Sequence, residues 1–69
     1  MVKNKLLEIR LQMGYRFQKD FAEHLEISQY QYNRYEKNIN QPSLKVLLDI
    51  CGPEKLNIDP REIFYLVKD

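Results

Sequence analysis

Two short amphipathic segments separated by only three residues limit the possible folds of this chain more than any other feature. The first spans residues 18–25, and its apolar side chains share one helical face: Phe21, Ala22 and Leu25. The three residues that follow end in Ser28, which is placed to cap a second helix over residues 29 to about 37. Asn38 can then take the left-handed conformation that ends a helix. The sequence therefore predicts two helices joined by a tight turn.

The segments on either side of this pair also follow helical spacing. Before it, apolar side chains recur every three or four positions up to Gly14: Val2, Leu6, Ile9 and Met13. After it, Pro42 and Ser43 restart the chain, and a fourth helix is predicted to run to about residue 51. The apolar positions of that helix share a face: Leu44, Leu47, Leu48 and Cys51.

The strongest helix start lies near the C-terminus. Asp59, Pro60 and Glu62 provide in order a capping residue, a proline at the first helical position and a glutamate at the third. A fifth helix is predicted to follow, with an apolar set at its end: Ile63, Phe64, Leu66 and Val67. We find no alternation typical of strands, so the predicted fold is all-α, a single compact five-helix domain over residues 1–69.

Composition narrows the class of protein further. A chain of 69 residues makes one domain, and its single cysteine, Cys51, cannot form an internal disulfide. Without a signal-peptide core or an apolar run of about 18 residues, we expect a cytoplasmic protein with no membrane segment. The net charge of +1 gives only weak support for a nucleic-acid partner.

The second helix of the central pair has a polar outer face suited to reading DNA bases. Tyr32 and Tyr35 define its inner face, and other side chains point outward or from its N-terminus: Gln29, Tyr30, Asn33, Arg34 and Lys37. Amide side chains pair with adenine, arginine pairs with guanine, and a tyrosine ring can rest against a thymine methyl group. A solvated polar face is the ordinary alternative, but an exposed Tyr30 is less expected from solubility alone.

An enzymatic function has little support in the sequence. His24 is the only histidine, and we expect it at an exposed polar position. Beside it we find no paired carboxylates, no nucleophile with a base and no glycine-rich phosphate loop. His24 and Cys51 also supply too few ligands for a metal site. The sequence therefore predicts a binding protein with no cofactor, metal or small-molecule ligand.

The chain resembles the Xre family, the helix-turn-helix transcriptional regulators of the phage repressor and Cro group. The resemblance depends on the order and spacing of short motifs: Ile9-Arg10, Met13-Gly14, Gln18, Phe21-Ala22, Leu25, Ile27-Ser28, Tyr35-Glu36, Gln41-Pro42-Ser43-Leu44, Leu47-Leu48, Ile50 and Leu56-Asn57-Ile58. It covers most of the sequence. It implies a lambda-repressor-like fold whose third helix enters the major groove of double-stranded DNA.

The resemblance also implies roles for individual residues. Gln18 would touch a phosphate or an adjacent base, and the face of the third helix would read bases with Gln29, Tyr30 and Arg34 as its main positions and Asn33 as a secondary one. The remaining candidates for DNA contact frame that face: Ser28, Lys37, Asn38, Asn40 and, in the same loop, Gln41. Arg10 and Glu36 match a pair that forms a buried salt bridge in this family, so both are structural.

Three departures from the family pattern stand out. Glu26 occupies a turn position where the family usually has glycine, which predicts a left-handed or strained backbone there. Residues 15–17 add one position before the second helix and lack its usual small cap. Residues 51–55 add about two positions before Leu56. The first two bear on where Gln18 lies relative to DNA, and the third bears on C-terminal packing.

The sequence leaves two functions open. The preferred one is a sequence-specific transcriptional repressor that binds double-stranded DNA as a homodimer, with part of the apolar run of residues 63–67 at the interface. Completion of the monomer core is an equal explanation for that run. The other function is a protein-interaction module, such as an antitoxin or phage accessory subunit, with weak DNA binding. The near-neutral charge favours the module, and the outer face of the third helix favours the regulator.

Overall fold

A computed structural model describes residues 1–68 as five short helices closed by a small sheet. The elements in chain order are β1 (Val2–Asn4), α1 (Leu6–Gln12), α2 (Gln18–Leu25), α3 (Gln29–Glu36), α4 (Leu44–Ile50), α5 (Pro60–Ile63) and β2 (Phe64–Leu66). The longest helices, α2 and α3, have 8 residues each. Among the described residues no helix is long and apolar enough to cross a membrane.

Local capping chemistry sets most helix boundaries where the sequence predicted them. The hydroxyls of Ser28 and Ser43 accept hydrogen bonds from the amides of Gln31 and Val46, and Asp59 caps α5 with Pro60 at its first turn. Gly14 ends the first helical segment at φ 86°, and Asn38 follows α3 at φ 58°. The left-handed residue frees the chain to change direction after each helix.

The all-α prediction is wrong at both ends of the chain. Residues predicted to begin the first helix form β1, and residues predicted to continue the fifth helix form β2. The two strands pair antiparallel, with Val2 opposite Leu66 and Asn4 opposite Phe64. The C-terminal segment is rich in β-branched and aromatic side chains, which pack well on a pleated surface. Backbone pairing between the chain ends therefore replaces a helix that local spacing had favoured.

The core takes side chains from all five helices. Its fully buried large side chains are Leu6, Phe21, Leu25, Tyr32, Ile50 and Ile63. Ala22 is also buried, as expected where two helices pack closely. The ring of Phe21 meets that of Tyr32 edge-on at a centroid distance of 5.3 Å, which ties α2 to α3. His24, predicted to be exposed, is half-buried and stacks on Tyr15 at 5.3 Å.

Helix α4 turns only part of its predicted apolar face to the core: Cys51 at its end is buried and Leu47 is half-buried. Leu44 and Leu48 are exposed, whereas Val46 and Ile50 pack inward. Both sets of side chains repeat every four residues, so periodicity alone does not distinguish them. The apolar surface of α4 is therefore divided between the core and the solvent.

Candidate nucleic-acid interface

A buried ion pair anchors the helix that presents the outer polar face. Arg10 Nε on α1 donates to Glu36 Oε1 on α3 at 2.8 Å, and both side chains are less than one-tenth exposed. Arg10 Nη1 also donates to the carbonyl oxygens of Tyr15 and Arg16, at 3.1 and 2.6 Å. One guanidinium therefore holds α1, the α1–α2 connection and the end of α3 together, and the ion pair that the family resemblance implied is present.

Glu36 gathers hydrogen bonds from three elements. Besides Arg10, Tyr32 Oη donates to Glu36 Oε1 at 2.8 Å, and Gln18 Nε2 donates to Glu36 Oε2. Burial alone would raise the pKa of Glu36, but these three donors outweigh it, and the pKa of Glu36 lies below its usual value of 4.5. Burial and the bond to Glu36 raise the pKa of Tyr32, so its hydroxyl stays protonated. The carboxylate is ionised and fully engaged.

The side-chain amides of Gln18 on α2 and Asn33 on α3 are hydrogen-bonded to each other. Asn33 Nδ2 donates to Gln18 Oε1 at 3.0 Å, while Gln18 Nε2 is held by Glu36. Both side chains are half-buried. The structure thus joins these two predicted contact residues and orients both amides before any ligand arrives. This orientation lowers the entropic cost of using them in recognition.

The outermost side chains of α3 are Gln29 and Tyr30, with Arg34 one turn further along. Tyr30 is 73% exposed although it is a large aromatic residue. The guanidinium of Arg34 lies 5.7 Å from the centroid of the Tyr30 ring, within cation–π range. Arg34 Nε also donates to Asn40 Oδ1 at 3.0 Å. Arg34 is therefore held between a ring on its own helix and an amide from the following loop.

The other predicted contact residues frame this face in different ways. Ser28 is exposed, but its hydroxyl accepts from the Gln31 amide as a helix cap. Lys37 and Asn40 are exposed at the end of α3 and in the loop that follows. Asn38 is half-buried, and its Oδ1 accepts from the Asn4 amide at 2.9 Å. The structure brings all of these residues to the ends of α3, with Asn38 turned partly toward the N-terminal strand.

Two cations that the sequence analysis did not single out lie beside this face. A cleft of about 570 Å³ opens between the starts of α2 and α3. Its walls include Arg16, Lys19 and Gln18, with one acidic residue, Asp20, beside them, and Gln29 at the start of α3. Positive side chains beside helix N-termini form a favourable environment for phosphate. The signal in the sequence was the pair of basic residues that flank Gln18, one on either side.

Glu26 shows how the turn between α2 and α3 is closed. Its φ of 60° and ψ of 39° place it in the left-handed region, as expected from its position where the family usually has glycine. The Ile27 amide then donates to the Ala22 carbonyl at 3.0 Å, which closes the end of α2. The turn keeps its geometry at the cost of a strained, non-glycine residue.

The sequence that forms these elements matches a known family. The family model described as helix-turn-helix, of the Cro/C1 type, matches residues 6–63 of the chain. This match begins with α1 and ends with α5, so it contains the ion pair, the turn and the whole outer face of α3. A comparison with curated protein sequences gives no match.

Proposed function

Because the chain belongs to the Cro/C1-type helix-turn-helix family of DNA-binding transcription regulators, we propose that it is a sequence-specific repressor. In this proposal α3 lies in the major groove of double-stranded DNA, and bound protein blocks access to a promoter. The observation that carries it is the outer face of α3, where Tyr30 is 73% exposed and Arg34 is held beside it. A face built only for solubility would not need an exposed aromatic ring against a restrained guanidinium.

Direct base contacts are assigned to Gln29, Tyr30 and Arg34. The amide of Gln29 can pair with an adenine, and the guanidinium of Arg34 can pair with a guanine through two hydrogen bonds. The Tyr30 ring supplies an apolar contact for a thymine methyl group or a sugar. Asn33 is the secondary position, because its side-chain amide already donates one hydrogen bond to Gln18.

Phosphate contacts are assigned to groups on both sides of α3. On one side are Arg16, Gln18 and Lys19, which line the cleft at the start of α2. On the other side are Lys37 and Asn40, both exposed. Contacts of this kind position the protein on the duplex and carry no sequence information. They also supply local positive charge that the overall charge of +1 does not reveal.

We assign the homodimer contact to the C-terminal strand β2, where the sequence had predicted a helix. Ile63 is buried and Phe64 packs against the core, so this part of the apolar run completes the monomer. Leu66 is 81% exposed, and Tyr65 and Val2 beside it are also exposed. A second copy covering this end of the sheet would remove that apolar surface from water. Two copies could then occupy two half-sites.

Selection of binding sites from a library of random DNA duplexes tests the proposed function. The wild-type chain is expected to enrich one palindromic sequence, since a two-fold dimer reads the same half-site twice. A variant with both Gln29→Ala and Arg34→Ala should enrich a different or degenerate sequence. If the wild-type chain enriches no sequence, the repressor proposal is wrong, and a protein-interaction module becomes the better explanation.

A further inference from the structure

Asn4 on β1 forms a buried hydrogen-bonding centre outside the DNA-binding face. It is only 7% exposed, and its side-chain Nδ2 donates to the Tyr35 carbonyl and to Gln41 Oε1, each at 2.8 Å. Its Oδ1 accepts from the Leu6 amide at 2.9 Å. Asn4 therefore contacts the start of α1, the end of α3 and the loop after α3 with a single amide group.

The loop after α3, residues 38–41, is tied to β1 by further bonds. The backbone amide of Asn4 donates to Asn38 Oδ1 at 2.9 Å. Gln41 Nε2 donates to the Val2 carbonyl at 3.1 Å and to Asn38 Oδ1 at 3.0 Å. Asn38 and Gln41, the first and last residues of this loop, are thus both attached to one strand.

The same loop holds a base-reading side chain. Asn40 lies between the two attached residues, and its Oδ1 accepts from Arg34 Nε at 3.0 Å. A continuous path therefore runs from Asn4 through residues 38–41 to the guanidinium of Arg34. Beyond α3 itself, this loop is what restrains the Arg34 head group, because its other neighbour, Tyr30, is an exposed ring on the same helix.

We propose that Asn4 is a positioning residue for DNA binding, which sets the loop of residues 38–41 and through Asn40 the orientation of Arg34. This role rests on the proposed function. Asn4 is paired with Phe64 in the sheet and is buried, so it does not contact DNA itself. Its contribution is to reduce the freedom that the loop and Arg34 would otherwise lose on binding.

The test compares three variants at a temperature where each is fully folded. Asn4→Ala removes the side-chain amide and its hydrogen bonds. Asn38→Gly removes the bond between Asn38 Oδ1 and the Asn4 amide, and glycine tolerates the positive φ at this position. Leu56→Val is the matched control, because it weakens the buried core and Leu56 takes no part in these hydrogen bonds. Asn4→Ala should weaken binding to the selected duplex by about 2- to 30-fold. Leu56→Val should leave affinity unchanged.

A double-mutant cycle distinguishes positioning from general stability. In an Arg34→Ala background, Asn4→Ala should cost much less affinity than it does in the wild-type chain, since the group it positions is gone. Hydrogen exchange of the amides of residues 39–41 in the DNA-free protein should also quicken in Asn4→Ala and Asn38→Gly but not in Leu56→Val.

Each outcome bears on a separate claim. If the wild-type chain selects a duplex but Asn4→Ala binds it as tightly as the wild-type chain does, the positioning role is wrong and the proposed function stands. Equal losses from Asn4→Ala with and without Arg34 would also overturn the role, because Asn4 would then act independently of Arg34. A wild-type chain without a preferred duplex would overturn both claims.

Discussion

Arg10 Nε donates to Glu36 Oε1 across 2.8 Å, and this bond fastens the C-terminal end of α3 to α1. Because Glu36 also accepts from Gln18 and Tyr32, the position of the outer face of α3 depends on one buried carboxylate. Neither charged group faces solvent, and each has its partners within the protein. The pair is therefore part of the scaffold, and its removal should affect folding before it affects recognition.

Breaking this ion pair should be costly. Arg10→Met should lower the free energy of unfolding by about 3–5 kcal/mol, because it leaves the charge of Glu36 buried without its partner. The double variant Arg10→Met, Glu36→Met should lose less than the sum of the two single variants, since no isolated charge remains. Urea denaturation measures the free energy of unfolding of the wild type, the two single variants and the double variant. Additive losses would contradict direct coupling between the two side chains.

Stability should fall in acid because of Glu36. Its pKa in the folded protein is below the usual 4.5, so the unfolded chain binds more protons in that range and stability rises with pH. The stabilising contribution is complete above the unfolded pKa and is lost as pH falls through the lower folded pKa.

Urea titrations at several pH values measure this dependence. Glu36→Gln should show a shallower loss of stability below about pH 4.5, along with lower stability at neutral pH. Hydrogen bonds from Arg61 lower the pKa of Asp59 to about 2, so Asp59 also titrates in the acid range. Asp59→Asn is the comparison variant, because it removes this second carboxylate, keeps a capping side chain and leaves Glu36 in place. An unchanged slope in Glu36→Gln would contradict the role of its carboxylate.

The left-handed turn residue offers a stabilising substitution. Glu26→Gly should raise the free energy of unfolding by about 0.5–1 kcal/mol, because glycine adopts a φ of 60° without a steric penalty. Glu26 also forms an ion pair with Lys55 at 3.3 Å, but the Glu26 side chain is 77% exposed, so the pair is worth little. Glu26→Ala is the control, since it removes the ion pair and keeps the strain. In thermal denaturation, Glu26→Gly should be more stable than both the wild type and Glu26→Ala. If Glu26→Gly is no more stable than Glu26→Ala, backbone strain at this position is not the cause.

Base-reading and phosphate-contacting residues should differ in their effects on specificity. Arg34→Ala and Gln29→Ala should each lose about 1–3 kcal/mol of discrimination between the selected duplex and a scrambled one. Lys19→Ala should weaken binding to both duplexes by the same factor and reduce the salt dependence of binding. Lys68→Ala is the control for loss of one positive charge outside α3 and the cleft beside it. Equal losses on both duplexes for Arg34→Ala would refute its base-reading role.

The exposed end of the sheet should control self-association. Leu66→Asp should shift the protein from dimer to monomer in sedimentation equilibrium with little change in monomer stability, since this side chain is 81% exposed. Leu48→Asp on α4 is the matched control, as that leucine is also exposed and apolar. Should Leu48→Asp dissociate the dimer and Leu66→Asp leave it intact, the interface belongs to α4 instead of β2.

The helical centre of the fold could be predicted from sequence because local rules decide it. Ser28, Ser43 and Asp59 are capping residues whose side chains bond to amides two or three residues away. The chain ends could not be predicted in the same way. β1 and β2 exist only because they pair with each other across the whole length of the chain, and helical spacing in each segment gave no sign of that partner.

The candidate site could likewise be predicted from sequence only in part. The outward positions of Gln29 and Tyr30 follow from helical geometry and the burial of Tyr32 and Tyr35. The role of Asn4 does not, because its hydrogen bonds reach residues more than thirty positions away. Long-range polar contacts leave no periodic trace in a sequence, so this part of the site required the structure.

Sequence-specific recognition is tested most directly by titrating the selected duplex and a scrambled duplex at two salt concentrations. A sequence-specific dimeric regulator should bind the selected duplex at least about a thousandfold more tightly, with half-sites about one helical turn apart. It should also keep most of that ratio at the higher salt concentration, because base contacts are less sensitive to salt than phosphate contacts. Equal affinities for the two duplexes that vanish together with added salt would contradict sequence-specific recognition by α3.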